Sequence, residues 1–243
     1  MTGAGARTCV VTGATGGIGG AFVLALVASG ARVWALGRRQ DALDALVERA
    51  AGDGAVVPLA ADLESVEAIE NAAREVLARD DEVDLLVHAA GAITLGSIDA
   101  VSTESLDRMY EVNVRAAHAL TQRLLPALRR AAGQVVFVNS SAAVRSSGAN
   151  ALYGASKAGL KALADGLRDE VNADGVRVTS VYAGRTATPM QEAVHAFEGR
   201  DYSPELLMAP EDIVTMVLAA VELPRSAEVT DLHVRPLRRL PSA

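Results

Sequence analysis

Tyr153 and Lys157 stand four residues apart in a helix-like run, so both side chains fall on one helical face. A free phenol titrates near pH 10, too high for efficient proton transfer near neutrality. A cation close by favours the phenolate and brings that value down. The two residues are therefore a candidate acid–base couple. Tyr-x-x-x-Lys also occurs by chance on surface helices, so the couple needs company. Ser140, with Ser141 beside it, follows an apolar run at 134–138 that reads as a strand. In alternating strand–helix folds the strand ends face the ligand crevice.

A second constellation lies near the start of the chain. Thr12-Gly13-Ala14-Thr15-Gly16-Gly17-Ile18-Gly19 joins a short apolar strand, 9–11, to a helix-like run at about 18–28. Such glycines permit a tight turn and bring backbone close to a pyrophosphate. The helix N-terminus adds free N–H groups and a partial positive charge. The spacing is not G-x-G-x-x-G, and no lysine follows as in a P-loop. Close strand–helix packing would explain one or two of the four glycines, but not all. About twenty residues on, Ala35-Leu36-Gly37-Arg38-Arg39 closes the second strand. A carboxylate there would bind a ribose 2′-hydroxyl and repel a 2′-phosphate; none is present. Arg38 can pair with a 2′-phosphate and stack on adenine, which favours NADP(H) over NAD(H). The plainer alternative makes Arg38 and Arg39 a solvated basic turn.

These residues are spaced along an alternating pattern. Strand-like runs fall at about 9–11, 32–36, 55–59, 83–87, 134–138, 176–182 and 229–234. Helix-like runs fall at about 18–28, 41–50, 64–78, 103–130, 152–172 and 210–221. The strands are continuously apolar, as in sheets covered on both faces. The expectation is an α/β, Rossmann-like, doubly wound parallel sheet of about seven strands. It forms one domain over 1–243, with an irregular binding loop at about 186–209.

Composition narrows the partners. The chain has 243 residues, 50% of them hydrophobic, with a net charge of −7. That balance argues against nucleic acid and against a basic membrane-surface protein. No charged residue occurs from Thr8 to Ala31, but glycines punctuate the run. It reads as strand, turn and helix rather than as a signal peptide or membrane span. Cys9 is the only cysteine, which excludes an internal disulfide and suits a reducing, cytoplasmic setting. His88, His118, His195 and His233 lack metal-ligand spacing, so no metal is expected. His88 reads as a strand-end residue near the cofactor. His195 reads as an exposed loop residue or a substrate contact.

Thr12-Gly13-x-x-x-Gly17-x-Gly19, together with Tyr153-x-x-x-Lys157, resembles the short-chain dehydrogenase/reductase family. Gly16 also fits the T-G-x-x-G-x-x-G pattern of its extended members, but the length suits the compact single-domain ones. The resemblance runs from Thr8 to about Val234. It implies a catalytic set of Asn113, Ser140, Tyr153 and Lys157, the thirteen-residue spacing to Tyr153 selecting Ser140 over Ser141. By the same resemblance Asn113 holds a water that links Lys157 to solvent, and Lys157 and Tyr153 also meet the nicotinamide ribose. Asp62, followed by Leu63, would contact the adenine amino group; its alternative is an N-cap for the helix from 64. Ala89-Ala90-Gly91 matches the family's N-A-G with Ala89 in place of the asparagine, and Ala90 and Gly91 approach the ribose. Residues 183–190 resemble P-G-x-V-x-T-x-M. There Thr188 would bind the carboxamide, with Gly184 and Thr186 beside it. Arg185 is unusual in that segment and either meets an anionic substrate or lies exposed.

The implied activity is NADP(H)-dependent interconversion of a carbonyl compound and a secondary alcohol, with Tyr153 as general acid and base. The implied assembly is a homodimer or homotetramer built on the helices at 103–130 and 152–172. The competing reading is a catalytically silent nucleotide-binding regulator or scaffold on the same fold. The complete four-residue set speaks against it.

Overall fold

The structure, a computed structural model, describes residues 7–238. Seven strands form one parallel sheet: β1 (Thr8–Thr12), β2 (Arg32–Gly37), β3 (Ala55–Ala60), β4 (Leu85–His88), β5 (Gln134–Ser140), β6 (Arg177–Ala183) and β7 (Asp231–Val234). Their order is β3-β2-β1-β4-β5-β6-β7. The chain runs outward from β1 to one edge, then returns to build the other half from β4. A crevice opens at such a reversal, outside the carboxyl ends of the strands.

Alternate strand residues explain why the central strands are apolar throughout. Val10, Trp34, Leu36, Leu86, Phe137 and Val178 pack on one face against α3 (Val66–Leu77), α5 (Ala116–Ala131) and α6 (Ala151–Val171). Val11, Val33, Ala35, Val87, Val136 and Val181 face the opposite way. They meet α1 (Gly17–Ala28), α2 (Gln40–Arg49) and α8 (Pro210–Val221). The central strands are therefore buried on both faces, and polar alternation has no place in them; the edge strand β7 does alternate, with Asp231 and His233 exposed beside half-buried Leu232 and Val234. Cys9 lies in the second layer, and burial pushes its thiol up to about 12. It packs as a small apolar residue. No helix among the described residues is long and apolar enough to cross a membrane.

Three local expectations are corrected. The run at 103–130 is not one regular helix: α4 (Thr103–Tyr110) passes through a π-helical turn, Glu111–Arg115, into α5. The stretch at 186–209 is not irregular throughout, since it contains α7 (Pro189–Phe197) and a short 3-10 turn, Pro204–Leu206. Thr188 accepts a hydrogen bond from Gln191 N and Pro189 takes the first helical position, a sound helix start. Asp62 does not cap α3. Ser65 does, accepting from Ala68 N at 3.2 Å, while Asp62 accepts from Glu64 N at 3.0 Å in a turn of its own.

Candidate active site

A cleft of about 1070 Å³ opens at the carboxyl ends of the strands. Gly13, Thr15, Gly16, Gly17, Ile18 and Gly19 form its floor after β1. Arg38 and Arg39 bound it after β2, and Asp62 and Leu63 after β3. Ala90 and Gly91 follow β4, Ser140 ends β5, and Gly184, Thr186 and Thr188 follow β6. Tyr153 and Lys157 reach the same cleft from α6. Of the catalytic and cofactor-binding residues expected from the sequence, Asn113 alone does not line it.

The glycine turn is dictated by close backbone approach. Gly13 has φ +64°, and a Cβ there would lie 2.7 Å from Ala90 Cα. Both facts require glycine. Gly16 is the N-cap of α1 and offers no side-chain acceptor, and the first turn holds no acidic residue. The leading N–H groups of α1 therefore keep their capacity for an anion. Thr12, which opens the glycine motif but has no role assigned from the sequence, ties β1 to β4. Its Oγ1 accepts from Ala89 N and Ala90 N, each at 3.2 Å. The backbone beside Ala89 is thus anchored without the family's asparagine.

The wall formed by Tyr153 and Lys157 is buried. Lys157 is 3% exposed and Tyr153 9%. Lys157 Nζ donates to Val138 O at 3.1 Å and stands 6.0 Å from the centroid of the Tyr153 ring. Burial lowers its ammonium to about 8. Burial also raises the Tyr153 phenol, and the Ser140 side chain works against that rise. In this structure burial sets the direction of the Tyr153 shift, and the hydrogen bond of Lys157 goes to a backbone carbonyl. Asn139, which sequence reasoning missed, fixes the geometry. Its Nδ2 donates to Lys157 O at 3.2 Å, and its Oδ1 accepts from Ser140 N at 2.8 Å. One side chain thereby joins the end of β5 to α6.

Asn113 sits in the π-helical turn behind the cleft wall. Its Oδ1 accepts from Ala92 N at 2.8 Å, and its Nδ2 donates to Ala92 O and to Ser156 Oγ, both at 2.9 Å. Ser156 in turn donates to Tyr153 O at 2.7 Å. A Cβ at Gly91 would lie 3.5 Å from Asn113 Oδ1 and 3.7 Å from Lys157 Nζ. The strand-end turn, the π turn and α6 therefore converge at Gly91. Turns of this type often sit at functional sites.

A short chain dehydrogenase family model matches residues 7–199. The chain belongs to the short-chain dehydrogenase/reductase family, a family of oxidoreductases. An uncharacterized short-chain type dehydrogenase/reductase of Sinorhizobium fredii is 32% identical over 95% of this chain and 91% of its own. A short chain dehydrogenase from Burkholderia cenocepacia, solved in complex with NADP, is 29% identical with a TM-score of 0.83, covering 94% of this chain and 96% of its own. An alcohol dehydrogenase from the archaeon Thermococcus sibiricus, complexed with 5-hydroxy-NADP, shares the fold. Its TM-score is 0.88 at 24% identity, over 98% of this chain and 100% of its own.

The surroundings of this short-chain dehydrogenase/reductase site suit a dinucleotide. The uncapped start of α1 offers N–H groups to a pyrophosphate, and Arg38 lies exposed at the rim. Arg38 Nη1 stands 3.7 Å from Glu64 Oε1, and Arg108 Nε donates to the same oxygen at 2.8 Å. Sequence reasoning missed both partners, which come from α4 and the turn before α3.

Other expectations change. His195 is neither exposed nor a lining residue of the cleft. It is 1% exposed, donates from Nδ1 to Gln191 O at 2.8 Å and meets the Tyr202 ring edge-on. Arg185 lines the cleft but is not free: its Nη2 donates to Glu198 Oε1 at 2.5 Å. His88 ends β4 as expected, yet it faces the interior. It shares a hydrogen bond with Thr121 Oγ1 and stacks on Phe137, and burial takes it down to about 3. Among the described residues no cluster of three or more His, Cys, Asp or Glu could hold a metal.

Proposed function

We propose that this chain is an NADP(H)-dependent oxidoreductase interconverting a carbonyl compound and a secondary alcohol. One observation carries the reading: Ser140, Tyr153 and Lys157 share a cleft with an uncapped glycine turn and Arg38. The Burkholderia relative's complex with NADP supports the same cofactor. Gly13 to Gly19 and the start of α1 would hold the pyrophosphate, and Arg38 with Arg39 the 2′-phosphate. Asp62 and Leu63 would meet the adenine, Ala90 and Gly91 the ribose, and Gly184, Thr186 and Thr188 the carboxamide end. Bound there, the dinucleotide supplies the hydride to the carbonyl carbon, or removes it from the alcohol.

The chain's own residues manage the proton. Ser140 and Tyr153 each donate a hydrogen bond to the carbonyl oxygen and so fix its position. Tyr153 then gives its proton to that oxygen as negative charge develops there. Lys157, protonated below about pH 8, stabilises the phenolate left behind. Asn113, with a water, reconnects Lys157 to solvent.

The test is single-turnover oxidation of NADPH with a panel of carbonyl compounds, beside Tyr153→Phe. The wild type should exceed the variant by about 10²–10⁴ on at least one substrate, with NADPH affinity retained in both. A wild type that binds NADPH but matches the variant on every substrate would instead be the silent nucleotide-binding protein.

A further inference from the structure

We propose that Arg145 receives a carboxylate of the substrate, so that the preferred substrates are oxo acids with an apolar body. The proposal rests on the carbonyl chemistry above. It starts from charge. In a chain of net charge −7, six basic side chains line the cleft against three acidic ones, Asp62, Glu64 and Glu198.

Most of these cations are already engaged. Glu64 takes Arg38 and Arg108, and Asp41 lies 3.8 Å from Arg39. Arg185, which the sequence marked as the possible anion contact, is held by Glu198, and Arg200 lies 3.5 Å from the same carboxylate. Lys157 donates to Val138 O. Arg145 is different. Among the described residues its guanidinium has neither an ion pair nor a hydrogen bond.

Its position is a substrate position. Arg145 lies five residues after Ser140, in the segment that runs from the end of β5 to α6 and Tyr153. That segment is braced. Arg145 N donates to Ser141 O at 3.0 Å, and Ser146 Oγ to Ala142 O at 2.8 Å. Ser147 N donates to Asn150 Oδ1 at 2.7 Å. The backbone that carries Arg145 is thus fixed, and its exposed side chain lines the same cleft as Ser140 and Tyr153. Ile93, Leu95, Met190, Val194 and Phe197 add apolar lining to the cleft, beside the uncharged polar Ser141, Ser147, Asn150 and Gln191. Glu198, next to Phe197, is neutralised by two arginines. A substrate that covers Arg145 without supplying an anion strips water from the charge for no return. A carboxylate replaces that water with charge-assisted hydrogen bonds in the fork geometry a guanidinium offers. Discrimination then comes from both effects.

The experiment compares straight-chain oxo acids of graded carbonyl-to-carboxylate spacing with their methyl esters, using NADPH and three proteins: wild type, Arg145→Gln and Arg145→Glu. For at least one spacing the wild type should favour the acid by about tenfold or more in kcat/KM, mainly through KM. Arg145→Gln should erase that preference and Arg145→Glu reverse it, while NADPH affinity, read by fluorescence titration, stays put in all three. Equal use of acid and ester by the wild type overturns the assignment of Arg145 but leaves carbonyl reduction standing. So does a preference that survives in both variants. No NADPH oxidation with any member, in a protein that binds NADPH, overturns both.

Discussion

Arg38 and Glu64 face each other at the rim of the cleft, Nη1 3.7 Å from Oε1, and Arg108 holds the same oxygen at 2.8 Å. Arg38 is 63% exposed. Ion pairs in water of this kind are weak and salt-screened, so the pair yields readily to a stronger anion. A 2′-phosphate must nevertheless compete with the carboxylate. Arg38→Ala is expected to weaken NADPH binding about tenfold and to spare NADH. Glu64→Gln is expected to tighten NADPH a few-fold and also to spare NADH. Fluorescence titration at low salt measures both. Equal changes for the two cofactors would remove Arg38 from the 2′-phosphate site.

Lys157 makes a pH prediction with a definite sign. Its pKa falls from the ordinary 10.5 to about 8 through burial. Below pH 8 both folded and unfolded chains hold the proton, and the folded state bears the full cost of the buried charge. Between about pH 8 and 10.5 the unfolded chain binds more protons, so stability rises with pH. Lys157→Met removes the cost. The variant should be more stable than wild type at pH 7, by up to about 3 kcal/mol. The gap should close as pH rises from 8 towards 10.5. The raised Tyr153 phenol affects both proteins alike and drops out of the comparison. Urea unfolding at pH 7 and pH 10 decides it, and a gap that widens with pH contradicts the burial argument.

Asn113 is expected to matter for stability as well as turnover. Asn113→Ala leaves the part-buried Ala92 N and Ala92 O without their side-chain partner, while Ser156 Oγ keeps its bond to Tyr153 O. Each unmet buried polar group costs about 1–3 kcal/mol, so a total loss of about 2–4 kcal/mol is expected. Hydrogen exchange at the Ala92 amide should accelerate with it. An unchanged Ala92 amide would mean that the π-helical turn holds the segment without the asparagine.

What was legible followed from local rules. Doubly covered strands made β1, β5 and β6 readable as apolar runs, and the glycine turn and Tyr153–Lys157 are patterns of short spacing. The π-helical turn was not legible, because one inserted residue leaves almost no trace in a 3.6-residue period. The helix α7 was signalled by Thr188-Pro189 as a cap and first position, but the prolines around it suggested a loop. Pairings such as Arg108 with Glu64 depend on residues 44 apart. The behaviour of Lys157 was missed for a different reason. Its charge is governed by how deeply α6 buries it, which spacing from Tyr153 does not reveal.

Gly17 and Thr188 offer a test of how the two ends of the cleft fit together. A Cβ on Gly17 would lie 2.5 Å from Thr188 Cγ2 and 3.0 Å from its Cβ. Gly17→Ala therefore forces the first turn of α1 away from the start of α7. Overpacking of this kind costs about 1–3 kcal/mol, and NADPH affinity should fall with it. The obstacle is mostly one methyl group. Thr188→Ser removes that methyl and keeps the Oγ1 that caps α7 through Gln191 N at 3.2 Å. The double variant should regain a good part of the stability and affinity that Gly17→Ala loses. A double-mutant cycle should show coupling of at least about 0.5 kcal/mol, because the residues touch. Purely additive losses would mean that α1 relieves the clash by moving elsewhere, and that Thr188 does not set its position.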